Sequence, residues 1–173
     1  KGDDDGSWYL GPEGTAFFEA AQELGLIASL AVSASFQSTV AQLAKRFPAV
    51  PFLCHHMAGA QVGDTERLKL ITQSAGRENV YIKMSGFAYV VPEQKWEYPY
   101  RDTHDVVRGL YDAYGPDRLC WGSDYPVVRS YMTHKQSLEA FRTHCDFIPE
   151  QDRETILGPA LQKLLAEARD VNT

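Results

Sequence analysis

The sequence predicts an α/β protein built on a parallel sheet. Short, near-continuous apolar runs of strand length alternate with stripes of helical period, and glycine or proline closes most of the helical segments. Runs without strict alternation suit strands covered on both faces, as helices on either side of a parallel sheet require. A chain of 173 residues that is 44% hydrophobic and 23% charged fits one globular domain with a real core.

The elements follow in order. Phe17, Ala20, Ala21 and Leu24 mark a one-sided helix closed by Gly25, and Leu26–Val32 is the first strand-length run. Val40, Leu43, Ala44 and Phe47 form a second stripe ended by Pro48, before the run Val50–Cys54. Asp64 is placed to cap a third helix over Leu68, Ile71 and Ala75, with Gly76 as its stop. The run Val80–Met84 follows, and then a long aromatic segment, 87–101, without helical period. Val107, Leu110, Tyr111 and Tyr114 mark a fourth helix, stopped at Gly115 and Pro116, before the run Leu119–Trp121. Thr133 and Gln136 have the spacing of a capping box for a helix over Leu138 and Phe141. Pro159 opens a last helix through Leu161, Leu164, Leu165 and Ala168. Two architectures satisfy this order: a small doubly wound sheet, or the second half of an eight-stranded (β/α) barrel. In both, ligands sit beyond the carboxyl ends of the strands.

The totals exclude several classes. A net charge of -6 argues against nucleic acid, whose phosphates need a basic face. No apolar run approaches the length of a bilayer span and no signal-peptide pattern is present, so no membrane role is expected. Cys54, Cys120 and Cys145 are odd in number without CxxC pairing, which points to a reducing cytoplasm. The acidic start Lys1-Gly-Asp-Asp-Asp5 reads as a solvated loop, and an initial Lys in place of Met suggests a fragment or a processed product.

The strand ends carry the candidate chemistry. The run from Phe52 delivers His55 and His56, a metal-site candidate of which strand alternation lets only one face a common centre. Lys83 lies inside a strand, where its ammonium needs a carboxylate or a route to water. Trp96, Tyr98, Tyr100 and Arg101 in the aromatic segment are placed to line a substrate entrance or to cover the sheet end. Asp124, in Gly122-Ser123-Asp124-Tyr125-Pro126, is either an Asx turn former or a carboxylate able to move protons at a metal-bound water. Arg129 and His134 are secondary site candidates, while His104 and His144 fit surface or packing roles.

These segments resemble a known family. "YGPDRLCWGSDYPVV" resembles the last-strand signature of the amidohydrolase-related family of metal-dependent hydrolases. "FPAVPFLCHHMAG" is similar to its sixth-strand segment, "NVYIKMSG" to its seventh strand, and "ILGPALQKLL" to its closing helix, with Pro159-Ala160 in place of the usual Asn-Ala. The resemblance implies the C-terminal portion of a (β/α)8 TIM barrel, about four β/α units, with residues 1–173 forming a partial domain whose N-terminal strands are missing. It makes Asp124 the strand-eight acid, catalytic and metal-binding, and His56 the strand-six metal ligand.

Two departures narrow the expectation. The family's strand-one His-x-His has no counterpart, and the strand-five segment Leu26–Val32 has no His. The second absence tilts the resemblance toward the lactonase-like branch. The function implied is hydrolysis of a small lactone, ester or amide by an activated water. A divalent metal, zinc for preference, would be held partly by residues outside the chain, and Lys83, Trp96, Tyr98, Arg101 and Arg129 would bind the small-molecule substrate. The alternatives are a decarboxylase of the same scaffold, or a catalytically incomplete half barrel whose free sheet edges favour a homo-oligomer.

Overall fold

The structure is a computed structural model that describes residues 6–91, 93 and 96–170; the acidic start lies outside the described residues. Helices α1 (Ser7–Leu10) and α2 (Pro12–Glu23) lead into strand β1 (Ala28–Leu30) and helix α3 (Gln37–Arg46). Strand β2 (Phe52–Cys54) is followed by a tight turn at His56–Gly59 and by α4 (Thr65–Gln73). Strand β3 (Val80–Met84) runs into the one-turn helix α5 (Phe87–Val90) and then α6 (His104–Tyr114). Strand β4 (Leu119–Trp121) precedes α7 (His134–Arg142), α8 (Glu150–Leu157) and α9 (Pro159–Asp170).

The four strands pair in parallel in the order β1-β2-β3-β4. This order decides between the two architectures. A doubly wound sheet reverses its winding from an inner strand, whereas consecutive strands of a barrel wall lie side by side in chain order. The chain therefore builds part of a (β/α) barrel.

The packing explains the continuous apolar runs. Phe52, Cys54, Val80, Ile82, Met84 and Leu119 are fully buried in the main core. The residues between them face the other side, where Leu53 and Cys120 pack with Ala160 and Leu164 of α9. Helix ends follow the sequence signals. Asp64 accepts the Arg67 backbone N–H at 2.8 Å, and both halves of the Thr133–Gln136 capping box are made. The Asn79 side-chain amide reaches the carbonyls of Ala44, Phe47 and Val50, tying the end of α3 to the entry of β3.

The face of α2 departs from expectation. Its buried residues are Gly14, Phe18 and Ala21, while Phe17 and Leu24 are 54% and 58% exposed. The Phe18 ring sits 5.7 Å from that of Phe47 and 5.5 Å from that of Phe52. Helix α1 crosses so closely that a Cβ at Gly14 would lie 2.3 Å from the Trp8 carbonyl oxygen. A count of large apolar residues misses this stripe because glycine is its contact point. Helix α8 and the short helix α5 also went unsignalled, the latter inside the segment expected to be a loop. No helix among the described residues is long and apolar enough to cross a membrane.

The corrected face has a measurable consequence. Phe18→Ala should destabilise the fold by about 3–5 kcal/mol, the range for losing a buried aromatic ring. Phe17→Ala should cost less than about 1 kcal/mol. Urea titrations of the two variants check this directly.

Candidate active site

The carboxyl ends of β2, β3 and β4 open onto one rim, and each contributes. Beyond β2 the chain turns through His56, Met57 and Ala58 at φ 51°, 51° and 55°, and then Gly59 at 74°. A non-glycine residue in this left-handed region costs about 1–2 kcal/mol. Complete burial of the Met57 and Ala58 side chains holds the turn in place. The turn breaks strand alternation, so the two imidazoles lie edge to face with ring centroids 5.5 Å apart. They still separate in role. His55 Nε2 meets Ser29 Oγ at 2.6 Å, and His56 Nδ1 meets the buried Ser85 Oγ at 3.0 Å.

His56 Nε2 then points at Asp124, 3.7 Å from Oδ1. The Asp124 carboxylate is not drawn back onto the chain: Pro126, two residues on, has no N–H, and the Tyr125 N–H bonds to Ser123 Oγ at 3.2 Å. The second carboxylate oxygen, Oδ2, accepts the Tyr89 hydroxyl at 2.5 Å. Tyr89 reaches it from α5, whose other residues Phe87, Ala88 and Val90 are buried. Gly86 makes this approach possible. It sits at φ 71°, and a Cβ there would lie 2.5 Å from the Tyr89 ring and 3.1 Å from His56 Nδ1.

The electrostatics favour neutral imidazoles. Burial, foremost, pulls the pKa of both His55 and His56 below the ordinary value; the Lys83 charge lowers both and Asp124 opposes it. Lys83 is half-buried, with its stem laid across Gly122, where a Cβ would meet Lys83 Cε at 2.5 Å. Among the described residues it makes no ion pair, and its charge acts on both imidazoles. Burial and the bond to Asp124 push the Tyr89 phenol upward, so it donates at every working pH.

The remaining candidates spread outward. Trp96 is 72% exposed, donates its indole N–H to the Ser130 carbonyl at 3.2 Å, and packs on Tyr131, which in turn packs on Tyr89. Tyr98 and Arg101 do not join His56; they line a separate hollow of about 250 Å³ with Tyr100, because the chain turns at Tyr100 (φ 63°) to start α6. The Tyr98 ring there meets His144 at 5.5 Å. Arg129 is exposed on the turn Val127–Ser130. His134 is exposed at the start of α7, its ring 6.0 Å from Trp121. Ser85, Tyr89 and Arg67 are site residues that the sequence did not single out. Arg67 and Tyr89 line a cavity of about 310 Å³ with both imidazoles.

His56 Nε2 and Asp124 Oδ1 fit as two ligands of one ion, since 3.7 Å is a separation two donors of a tetrahedral zinc can span. The Ser85 contact on Nδ1 is the outer support such a ligand needs. Among the described residues no group of three or more His, Cys, Asp or Glu converges, so this pair is part of a centre only.

Comparison with known proteins bears on the family and the fold. A family model described as amidohydrolase matches residues 1–160. An amidohydrolase from Burkholderia multivorans with bound zinc superposes with a TM-score of 0.81 at 17% identity, covering 95% of this chain and 61% of that one. A candidate 2-pyrone-4,6-dicarboxylic acid hydrolase from Pseudomonas putida gives 0.75 at 18% identity, covering 91% and 57%. The 5-carboxyvanillate decarboxylase of Sphingomonas paucimobilis gives 0.64 at 17%, covering 91% and 54%. The chain thus spans little more than half the length of the structures it matches. A search of curated proteins finds no match.

The neutral imidazoles carry a pH dependence. His104, packed on Phe147, is also held below its ordinary pKa, first by burial and then by the Arg101 charge. A base whose folded pKa is depressed takes its proton first in the unfolded chain. Stability is therefore undiminished above about pH 6.5, the ordinary imidazole value, and falls as pH drops below it. The urea midpoint should be lower at about pH 5.5 than at about pH 7.5, and His104→Phe should flatten the difference.

Proposed function

The chain belongs to the amidohydrolase family, and from that premise we propose that it carries the catalytic rim of a hydrolase that opens a small lactone, ester or amide with an activated water. The observation that carries this reading is the Asp124 carboxylate, held by Tyr89 and facing His56 Nε2. Asp124 takes the proton of the attacking water and returns it to the leaving oxygen or nitrogen. His56, its other nitrogen anchored on Ser85, polarises the scissile carbonyl through Nε2 or serves as a metal ligand. Lys83 lends positive charge where the oxyanion forms. Trp96, joined to Tyr89 through Tyr131, borders the outer part of the substrate.

A divalent ion held in part by His56 and Asp124 would supply Lewis acidity and a more acidic water, and zinc suits this nitrogen and oxygen donor pair. The zinc in the Burkholderia structure supports that choice. The three cysteines are unpaired and buried, and burial pushes Cys54 up to about 11 and Cys120 and Cys145 up to about 12. Thiols so protected support a cytoplasmic setting.

Asp124→Asn should lower kcat by about 10²–10⁴-fold on the lactone or ester turned over, with the circular dichroism spectrum unchanged. Near-wild-type turnover would remove Asp124 from the chemistry. Product analysis separates ring opening from release of CO2, the outcome of the rival decarboxylase reading. Tyr89→Phe should slow turnover by about tenfold, the worth of one hydrogen bond to a charged group.

A further inference from the structure

Arg67 lies in the first turn of α4, outside every strand end, yet it borders the same cavity of about 310 Å³ as His55, His56 and Tyr89. Its guanidinium is fixed from two sides. Nε lies 3.3 Å from Asp64 Oδ2, and Nη1 donates to the Gly59 carbonyl at 3.3 Å. The same Asp64 caps α4 through the Arg67 backbone N–H. The Gly59 carbonyl belongs to the left-handed turn that presents His56. One strained turn therefore sets both the imidazole and the fork that flanks it. Among the described residues no hydrogen bond or ion pair is made by Nη2. No carboxylate side chain lines the cavity, and the two beside it, Asp124 and Asp64, are engaged by Tyr89 and by Arg67 itself.

We infer that Arg67 binds a carboxylate group of the substrate, in the cavity it shares with the reacting centre. With Nε turned to Asp64, the end of the guanidinium presents Nη2 and the second N–H of Nη1, and this pair matches a planar carboxylate as lysine does not. Asp64 offsets part of the guanidinium charge, which suits a singly charged group over a phosphate dianion. A volume of about 310 Å³ admits one small molecule that reaches both Arg67 and His56. This deepens the hydrolase reading and rests on His56 and Asp124 being the reacting centre. The substrate is then a small lactone, ester or amide that carries an acid group remote from the bond that breaks.

Benzoate and benzamide test the subsite, because they share a shape and differ in charge. In NMR titrations of the protein, benzoate should bind saturably, shift the Arg67 Nε–H resonance and bind tighter than benzamide. Arg67→Gln should weaken benzoate by about tenfold and leave benzamide unchanged, which also shows that the cavity survives the substitution. Arg67→Lys should fall between the two. Benzoate affinity that persists in Arg67→Gln, or an absence of saturable benzoate binding to the wild type, overturns the subsite. Asp124→Asn serves as the separate control. It should keep benzoate binding while losing turnover, so a failure of the catalytic assignment reads out in turnover and a failure of the subsite in benzoate affinity.

Discussion

The site depends on where one carboxylate spends its hydrogen bonds. An Asp at a strand exit ordinarily turns an oxygen back onto the backbone N–H two residues on. Here that residue is Pro126, which has no N–H, and the Tyr125 N–H is taken by Ser123. Its oxygens face outward instead, one to Tyr89 and one toward His56. A proline downstream and a hydroxyl upstream thus separate the work of turning the chain from the work of chemistry.

The supporting contacts come from three different strand ends, and small residues set their closeness. Gly86 lets the Tyr89 ring and the His56 imidazole share a space that a methyl group would close, and Gly122 lets the Lys83 stem lie flat. The left-handed run from His56 to Gly59 is unfavourable on its own, and the burial of Met57 and Ala58 offsets it. Strain at the rim is matched by packing beneath it, the usual relation between a site and its scaffold.

Much of this was legible in the sequence. The four strands, the Asp64 cap and the Thr133 capping box are local signals, and local signals survive folding. His56 and Asp124 could be singled out because chemistry-bearing residues at strand exits stand out against apolar runs. Tyr89 could not, since an aromatic residue beside Phe87 and Val90 looks like core, and only the helical turn of α5 sends it the other way. Ser85 acts through His56, far off in sequence, and Arg67 comes beside the imidazoles only through the left-handed turn, which no local pattern announces. Tyr98 and Arg101 were expected at the entrance for their chemistry, but the turn at Tyr100 directs them to a neighbouring hollow. The face of α2 was misjudged by a single residue because Gly14, a contact point, carries no hydrophobic signal.

The order of the strands bears on how such a protein changes over time. Each strand touches only its neighbours in the chain, and its inner residues are sealed against helices on the far side. The segment after any one strand can be lengthened, shortened or rewritten while the wall beneath it stays intact. New substrates are reached by editing one tip at a time, with the remaining tips holding the older chemistry in reserve.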